Sequence, residues 1–245
     1  EICACLVGSE MCIRDRTTRM ILNDLLNLFY PRLCLLCQRS LVEGEEHICL
    51  HCSNHLPYTH FTDMETNPVC LLLQGKTSFV AATALLHFTK GGSGQKLIHS
   101  LKYHGNKKLG YELGRMAATT YRETGLFDTV DLLLPVPLHP KRMRQRGYNQ
   151  SEWIAYGIRS ATGIAVDTSS LSRIKKTESQ TRKQIFERSE NVEDIFRVEN
   201  TDTLKNKHIL LVDDVITTGS TMNACAEAMK AISGIRISIL GIAVA

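Results

Sequence analysis

Residues 209–221, Ile-Leu-Leu-Val-Asp-Asp-Val-Ile-Thr-Thr-Gly-Ser-Thr, constrain the fold of this chain more than any other stretch. Branched apolar residues run into two carboxylates, then into hydroxyls around one glycine, then into a helical pattern from Met222 to Ile232. A short apolar run bounded by polar residues suits a parallel strand covered on both faces. The series strand, loop, helix predicts an α/β fold with a parallel sheet. Asp213 and Asp214 then fall at a strand's carboxyl end, where open α/β sheets bind ligands. Adjacent strand residues point to opposite faces, so the two acids can share a ligand only where the strand frays. Thr217, Thr218, Gly219, Ser220 and Thr221 offer consecutive N–H groups and hydroxyls, and Gly219 permits positive φ. The following helix turns its positive end toward that loop. The expected ligand is a ribose 5′-phosphate, with the acids on its hydroxyls and the loop on its phosphate. No Gly-Lys-Thr/Ser closes the loop, and no Gly-x-Gly-x-x-Gly occurs, so Walker A and dinucleotide fingerprints are absent.

This stretch resembles the signature of type I phosphoribosyltransferases, which use 5-phosphoribosyl-1-diphosphate (PRPP). The resemblance implies that Asp213 and Asp214 hold the ribose hydroxyls, often alongside Mg²⁺, and that Thr217 to Thr221 cradle the 5′-phosphate.

Charge points to an anionic ligand. Between His139 and Arg188 there are eleven Lys/Arg and four Asp/Glu, a net of +7 in a chain of +4, which leaves −3 elsewhere. Such a band suits pyrophosphate, nucleotide or nucleic acid; a solvated surface is the plainer reading of charge alone. No apolar run reaches the length of a membrane-spanning helix. Nine cysteines, odd in number and bunched toward the N-terminus, argue against a disulfide framework and for the reducing cytoplasm.

Residues 1–19 have neither the basic start nor the apolar core of a signal peptide. They resemble translated sequencing-adapter read-through, and the native chain is expected to begin at Met20. From Met20 to Tyr30, Ile21, Leu22, Leu25, Leu26, Leu28 and Phe29 form a short amphipathic pattern that Pro31 ends. Cys34, Cys37, Cys49 and Cys52 then make two Cys-x₂-Cys knuckles separated by eleven residues. Two such knuckles turn four thiolates to one point, which suits structural zinc, with no open position for catalysis. His47, His51 and His55 are near enough for a mixed ligand set. The expected organisation is a leader (1–19), a helix and zinc head (20–60), and a phosphoribosyltransferase-like domain (61–245).

Residues 53–77 read as a linker punctuated by Pro57 and Pro68, and Phe79 to Phe88 as a strand. Helices are expected from Gln95 to Tyr103 and from Lys108 to Glu123, and a further strand from Leu132 to Val136. Asn149 or Ser151 can cap a helix that runs through Ser160. Lys141, Arg142, Arg144 and Arg146 would then occupy a loop between strand end and helix start, where an anion is bound. His139 reads as a surface or capping histidine before a general base. Residues 173–198 are polar and weakly periodic, which predicts a basic, mobile flap. The last strands are Ile209 to Val212 and Ile235 to Val244.

Several further stretches narrow the resemblance. They are the four-cysteine head, Leu101-Lys-Tyr-His-Gly105, Pro135-Val-Pro-Leu138, Arg146-Gly-Tyr-Asn-Gln150, Thr177-Glu-Ser-Gln180 and Glu187-Arg-Ser-Glu-Asn191. Together with Val212 to Thr221 they resemble the ComF family, which includes competence proteins and the GntX group. The resemblance implies that Pro137, Leu138, Arg142, Arg144, Arg146 and Gly147 contact the pyrophosphate of PRPP. It also implies a flexible loop with Lys175, Lys176, Thr177 and Gln180 that closes over the site, and a role in uptake of transforming DNA with a competence helicase.

Two functions are open on these grounds. One is a phosphoribosyltransferase that releases pyrophosphate from PRPP, for which no residue stands out as general base. The other is a non-catalytic module that binds single-stranded DNA or a competence helicase. Tyr148, Trp153 and Tyr156 are few aromatics for base stacking.

Overall fold

The computed structural model describes residues 30–75, 78–103, 105–174 and 195–245. The chain divides into two compact units between His55 and Leu56. The amphipathic stretch from Met20, apart from Tyr30, lies outside the described residues, as do residues 175–194 of the flap expected over 173–198; the two ends of that range are strands and not loop, because Arg173 and Ile174 pair with Phe196 and Ile195.

The first unit folds around its cysteines. Cys34 N donates to Arg39 O at 2.8 Å and Leu35 N to His47 O at 2.9 Å, which folds one knuckle against the other. The second knuckle opens the short helix α1 (Leu50–Asn54), capped by Cys49, whose sulfur accepts from Cys52 N.

The second unit begins with a helix where the sequence suggested only a linker. α2 (Pro68–Leu73) is capped by Asn67, has Pro68 in its first turn, and buries Val69, Cys70 and Leu73. A proline at the first helical position starts a helix as readily as it ends one. Next come β1 (Ala82–His87), α3 (Ser93–Tyr103), α4 (Lys107–Thr120) and β2 (Leu132–Pro135).

The expected loop of arginines is instead a helix, α5 (Pro140–Arg146). The His139 ring accepts from Lys141 N, Pro140 sets the first turn, and Gly147 closes the end at φ 74°. These start and stop signals outweigh the charge of the stretch. α6 (Gln150–Thr162) follows, capped by Asn149, and then β3 (Ala165–Val166). β4 (Leu171–Ile174) and β5 (Ile195–Val198) pair antiparallel as a separate ribbon. The chain finishes with α7 (Thr201–Leu204), β6 (His208–Ile216), α8 (Ser220–Met229) and β7 (Arg236–Val244).

Five strands form one parallel sheet in the order β1-β7-β6-β2-β3. β6 is central. Ile209, Leu211, Leu134 and Ile239 join a core with Val69 and Leu73 of α2 and Met222 and Met229 of α8. The alternate residues Leu210 and Val212 are equally buried, as a strand covered on both faces requires. The chain leaves β2 toward β3 and leaves β6 toward β7, in opposite directions across the sheet. The carboxyl ends of β2 and β6 therefore flank the topological switch point, where this architecture opens a crevice.

α4 and α6 cross unusually closely. A Cβ on Gly114 would stand 2.0 Å from Ile154 O, and one on Gly157 would stand 2.1 Å from Tyr111 O. The two glycines make this contact possible and so set the position of α6.

Candidate functional site

A cavity of about 440 Å³ opens at the switch point, lined by residues from α3, α5, α6, the loop after β2 and the end of β6. Its floor is the acid pair. β6 does not stop at Val212 as the sequence suggested: β7 is long enough to pair Asp213 with Gly241 and Val215 with Ala243. Both acids therefore lie within the ladder, yet both line the cavity.

Asp213 Oδ1 accepts from Ser151 Oγ at 2.9 Å and from Asp214 N at 2.8 Å. Asp214 is 8 % exposed, and its Oδ1 lies 3.0 Å from Lys102 Nζ. Burial, with the Asp214 charge adding to it, raises the Asp213 carboxyl to about 7; its two donors and Lys102 act the other way. Ser151 sits in the first turn of α6, which Asn149 anchors to the chain just after β2 by donating to Val136 O at 3.0 Å.

After Ile216 the chain turns through Thr217 and Thr218 to Gly219 at φ 73°, a conformation that suits glycine. A Cβ at Gly219 would also meet Leu73 Cδ2 at 2.5 Å. Thr218 Oγ1 donates to Ser220 Oγ at 3.0 Å. Thr217 and Thr221 line the cavity; Thr218, Gly219 and Ser220 complete the turn but are not in its wall.

Of the residues expected on the pyrophosphate side, Pro137, Leu138, Arg142 and Arg146 line the cavity, and Arg144 and Gly147 do not. A helix sends successive arginines in different directions, which a loop need not do. Arg146 Nη1 donates to Gln150 Oε1 at 3.1 Å, and its guanidinium lies 5.8 Å from the Tyr103 ring centre. Lys175, Lys176, Thr177 and Gln180 lie outside the described residues.

Four cations, Lys102, Arg142, Arg146 and Arg173, thus share a cavity with two carboxylates. This favours a ligand that carries both anionic groups and hydroxyls. The sequence pointed to Lys102 only as part of Leu101-Lys-Tyr-His-Gly105 and to Ser151 only as an alternative helix cap, with no place for either beside the acid pair.

In the other unit, the sulfurs of Cys34, Cys37, Cys49 and Cys52 all lie within 4.8 Å of one another, and those of Cys37 and Cys49 are 3.7 Å apart. Zinc with four bonds of about 2.3 Å spaces its sulfurs roughly 3.8 Å apart, so the cluster can hold zinc. Burial works against ionising Cys34, but N–H groups of Cys49, Cys37 and Leu36 aimed at its sulfur bring it down to about 6. Burial and the neighbouring sulfurs push Cys52 up to about 12. Crowding of this kind is what a bound cation relieves.

Residues 158–244 match the model of the phosphoribosyl transferase domain family. The chain is 28 % identical over 216 residues to the DNA utilization protein YhgH of Salmonella typhimurium, covering 82 % of this chain and 91 % of that protein. It is 25 % identical to competence protein F of Haemophilus influenzae (86 % and 90 % covered). It is 22 % identical to competence protein ComFC of Bacillus subtilis (92 % and 88 % covered). Among solved structures it is similar to a purine phosphoribosyltransferase from Pyrococcus horikoshii, with a TM-score of 0.34, 18 % identity, and 54 % and 72 % covered. Among the described residues no helix is long and apolar enough to cross a membrane.

Proposed function

We propose that this chain, which belongs to the ComF family within the phosphoribosyltransferase superfamily, binds PRPP or a related phosphoribosyl ligand at the β2/β6 crevice and serves the uptake of transforming DNA. The observation that carries the reading is the single cavity that joins an acid pair, a hydroxyl-rich turn at a helix N-terminus and four cations. Asp213 and Asp214 would take the ribose hydroxyls, Thr217 to Thr221 the 5′-phosphate, and Arg142 and Arg146 with the Pro137-Leu138 turn the pyrophosphate. Arg144 and Gly147 act from outside the cavity wall on this reading, and Lys175, Lys176, Thr177 and Gln180, which lie outside the described residues, keep the role of ligand contacts that the family resemblance implies.

The zinc head, expected over residues 20–60, ends at His55; on this reading it holds Zn²⁺ on Cys34, Cys37, Cys49 and Cys52, where the ion would serve as a structural cross-link. The phosphoribosyl domain, expected over residues 61–245, takes in Leu56 to His60 as well, since Tyr58 pairs with Leu86 and Thr59 N donates to Leu85 O at 3.0 Å. Four reduced cysteines suit a reducing compartment, which supports the reading that the protein works in the cytoplasm. Mg²⁺, implied by the family resemblance, fits the acid pair poorly. Asp214 already has an ammonium at 3.0 Å, and Asp213 Oδ1 already has two donors.

If the site is catalytic, its task is to stabilise departing pyrophosphate, and the cations facing the cavity are placed for that. The second reading, a non-catalytic module for single-stranded DNA or a helicase, is favoured by the exposed Lys141, Arg142 and Arg144 along α5.

Titration calorimetry of the zinc-supplemented protein with PRPP tests the first reading, beside an Asp213→Asn/Asp214→Asn variant. Binding by wild type that the variant loses is expected. A well-folded wild type with no heat of binding would overturn the phosphoribosyl reading. Steeply salt-dependent DNA binding, lost on neutralising Arg142 to Arg146, would support the second.

A further inference from the structure

Asp214 comes with its own counter-ion. The Lys102 and Asp214 side chains retain only 25 % and 11 % of their exposure. Lys102 projects from the last turn of α3. That helix is fixed by buried Leu97, Ile98 and Leu101, and the Tyr148 hydroxyl donates to Leu101 O. The ammonium is therefore a positioned charge rather than a solvated surface one. An ion pair removed from water resists the loss of either partner, because the other would be left charged and poorly hydrated. A divalent ion directed to this carboxylate has to displace Lys102 or sit beside it, and both are unfavourable. The positive charge that phosphates need is meanwhile already supplied by Lys102, Arg142, Arg146 and Arg173 in the same cavity.

Resting on the phosphoribosyl reading above, we propose that Lys102 takes the place of the divalent cation, so that this site accepts 5-phosphoribosyl ligands free of metal. Lys102 neutralises Asp214 and leaves an ammonium N–H for the ligand's hydroxyls or phosphate oxygens. It is a specificity-determining residue. It admits metal-free phosphoribosyl esters on equal terms with magnesium-chelated PRPP, and it keeps free divalent ions off the acid pair.

The test uses the full-length, zinc-supplemented protein and two ligands, PRPP and ribose 5-phosphate. The second chelates Mg²⁺ weakly, so its metal dependence reports on the protein. Affinities are measured by calorimetry in buffer freed of divalent ions over immobilised chelator (hereafter chelator), which leaves the protein's zinc in place, and in excess Mg²⁺, for wild type, Lys102→Met and Lys102→Arg. Wild-type affinity for each ligand is expected to change by less than about threefold between the two conditions. Lys102→Met should weaken at least about tenfold in chelator and recover in Mg²⁺. Lys102→Arg, which keeps the charge, should stay insensitive to metal. Mn²⁺ titration followed by electron paramagnetic resonance gives an independent measure on wild type alone. Wild type should leave the free-ion signal unchanged, with Asp214→Asn as the baseline.

Wild-type binding that collapses in chelator, or Mn²⁺ uptake that Asp214→Asn abolishes, would overturn the proposal and leave the phosphoribosyl reading standing. So would a Lys102→Met variant that binds like wild type in chelator. Absence of binding by wild type to both ligands in both conditions would overturn both.

Discussion

The hydroxyl of Ser151, in the first turn of α6, donates to Asp213 Oδ1 at 2.9 Å and so ties the helix after the arginines to the central strand. The two residues are 62 positions apart in the chain, and the bond makes the geometry of the acid pair depend on where α6 lies. Ser151→Ala removes a hydrogen bond to a carboxylate, and PRPP affinity should drop by about tenfold or more, with the fold intact. Calorimetry with circular dichroism as the folding check decides it; an affinity within about twofold of wild type would show the bond to be irrelevant to the ligand.

Gly114 and Gly157 permit the close crossing that positions α6. Alanine at either site would drive a methyl into a backbone carbonyl, so each variant should lose about 1–3 kcal/mol or more of stability. Urea unfolding measures this, and wild-type midpoints in both variants would mean that the helices part at no cost.

Gly219→Ala combines a left-handed backbone angle with a methyl aimed at buried Leu73. The φ alone costs about 1–2 kcal/mol, and relaxation of the turn would displace the hydroxyls of Thr217 and Thr221. The expected result is a lower melting temperature together with weaker binding of ribose 5-phosphate. Leu73 is itself a core residue, so trimming it to alanine would relieve the contact but open a cavity costing about 2–5 kcal/mol, and it should not restore the melting temperature.

The cysteine cluster should hold one zinc per chain by elemental analysis, and Cys37→Ser should lower that occupancy. Cys34, held near 6, enters as thiolate at neutral pH, whereas Cys52, pushed to about 12, must surrender a proton to the metal. Zinc uptake should therefore release protons, seen as a binding heat that changes with the ionisation enthalpy of the buffer. A heat that is the same in every buffer would contradict the assignment.

His208 gives the phosphoribosyl domain a pH dependence. It is 2 % exposed, and its ring lies 2.8 Å from Thr129 Oγ1 and 2.9 Å from Ser238 Oγ. Burial, with Arg236 adding to it, lowers its pKa below 6.5. The unfolded chain then takes up a proton that the native state refuses, so stability is fully present above 6.5 and is lost as pH falls toward the folded value. In His208→Gln the fall in urea midpoint across that window should be shallower than in wild type. An equal slope would assign the acid sensitivity to other groups.

Much of the site was legible because it is local in sequence. The run from Ile209 to Thr221 places strand, acids and turn in register within a few residues, and the cysteine spacing brings four sulfurs together for the same reason. Two features were legible and given too little weight: His139-Pro140 and Gly147 bracket a helix, and Asn67-Pro68 starts one. What no local pattern encodes is the pairing of Lys102 with Asp214 or Ser151 with Asp213. Those contacts exist only once the sheet order sets α3 and α6 beside the end of β6.

The place of β6 in that order has a further consequence. From Ile209 to Val212 it is hydrogen-bonded to β7 on one side and β2 on the other, and Asp213 continues the ladder opposite Gly241. Amides in such a strand exchange with solvent only through the largest openings of the domain. The acid pair is thus displayed at the end of a well-anchored strand, and a ligand that reaches it spends little of its binding free energy on ordering the backbone beneath the carboxylates. The conformational entropy that this part of the protein gives up on binding then falls on the turn beyond Ile216 and on the side chains that face the pair across the cavity.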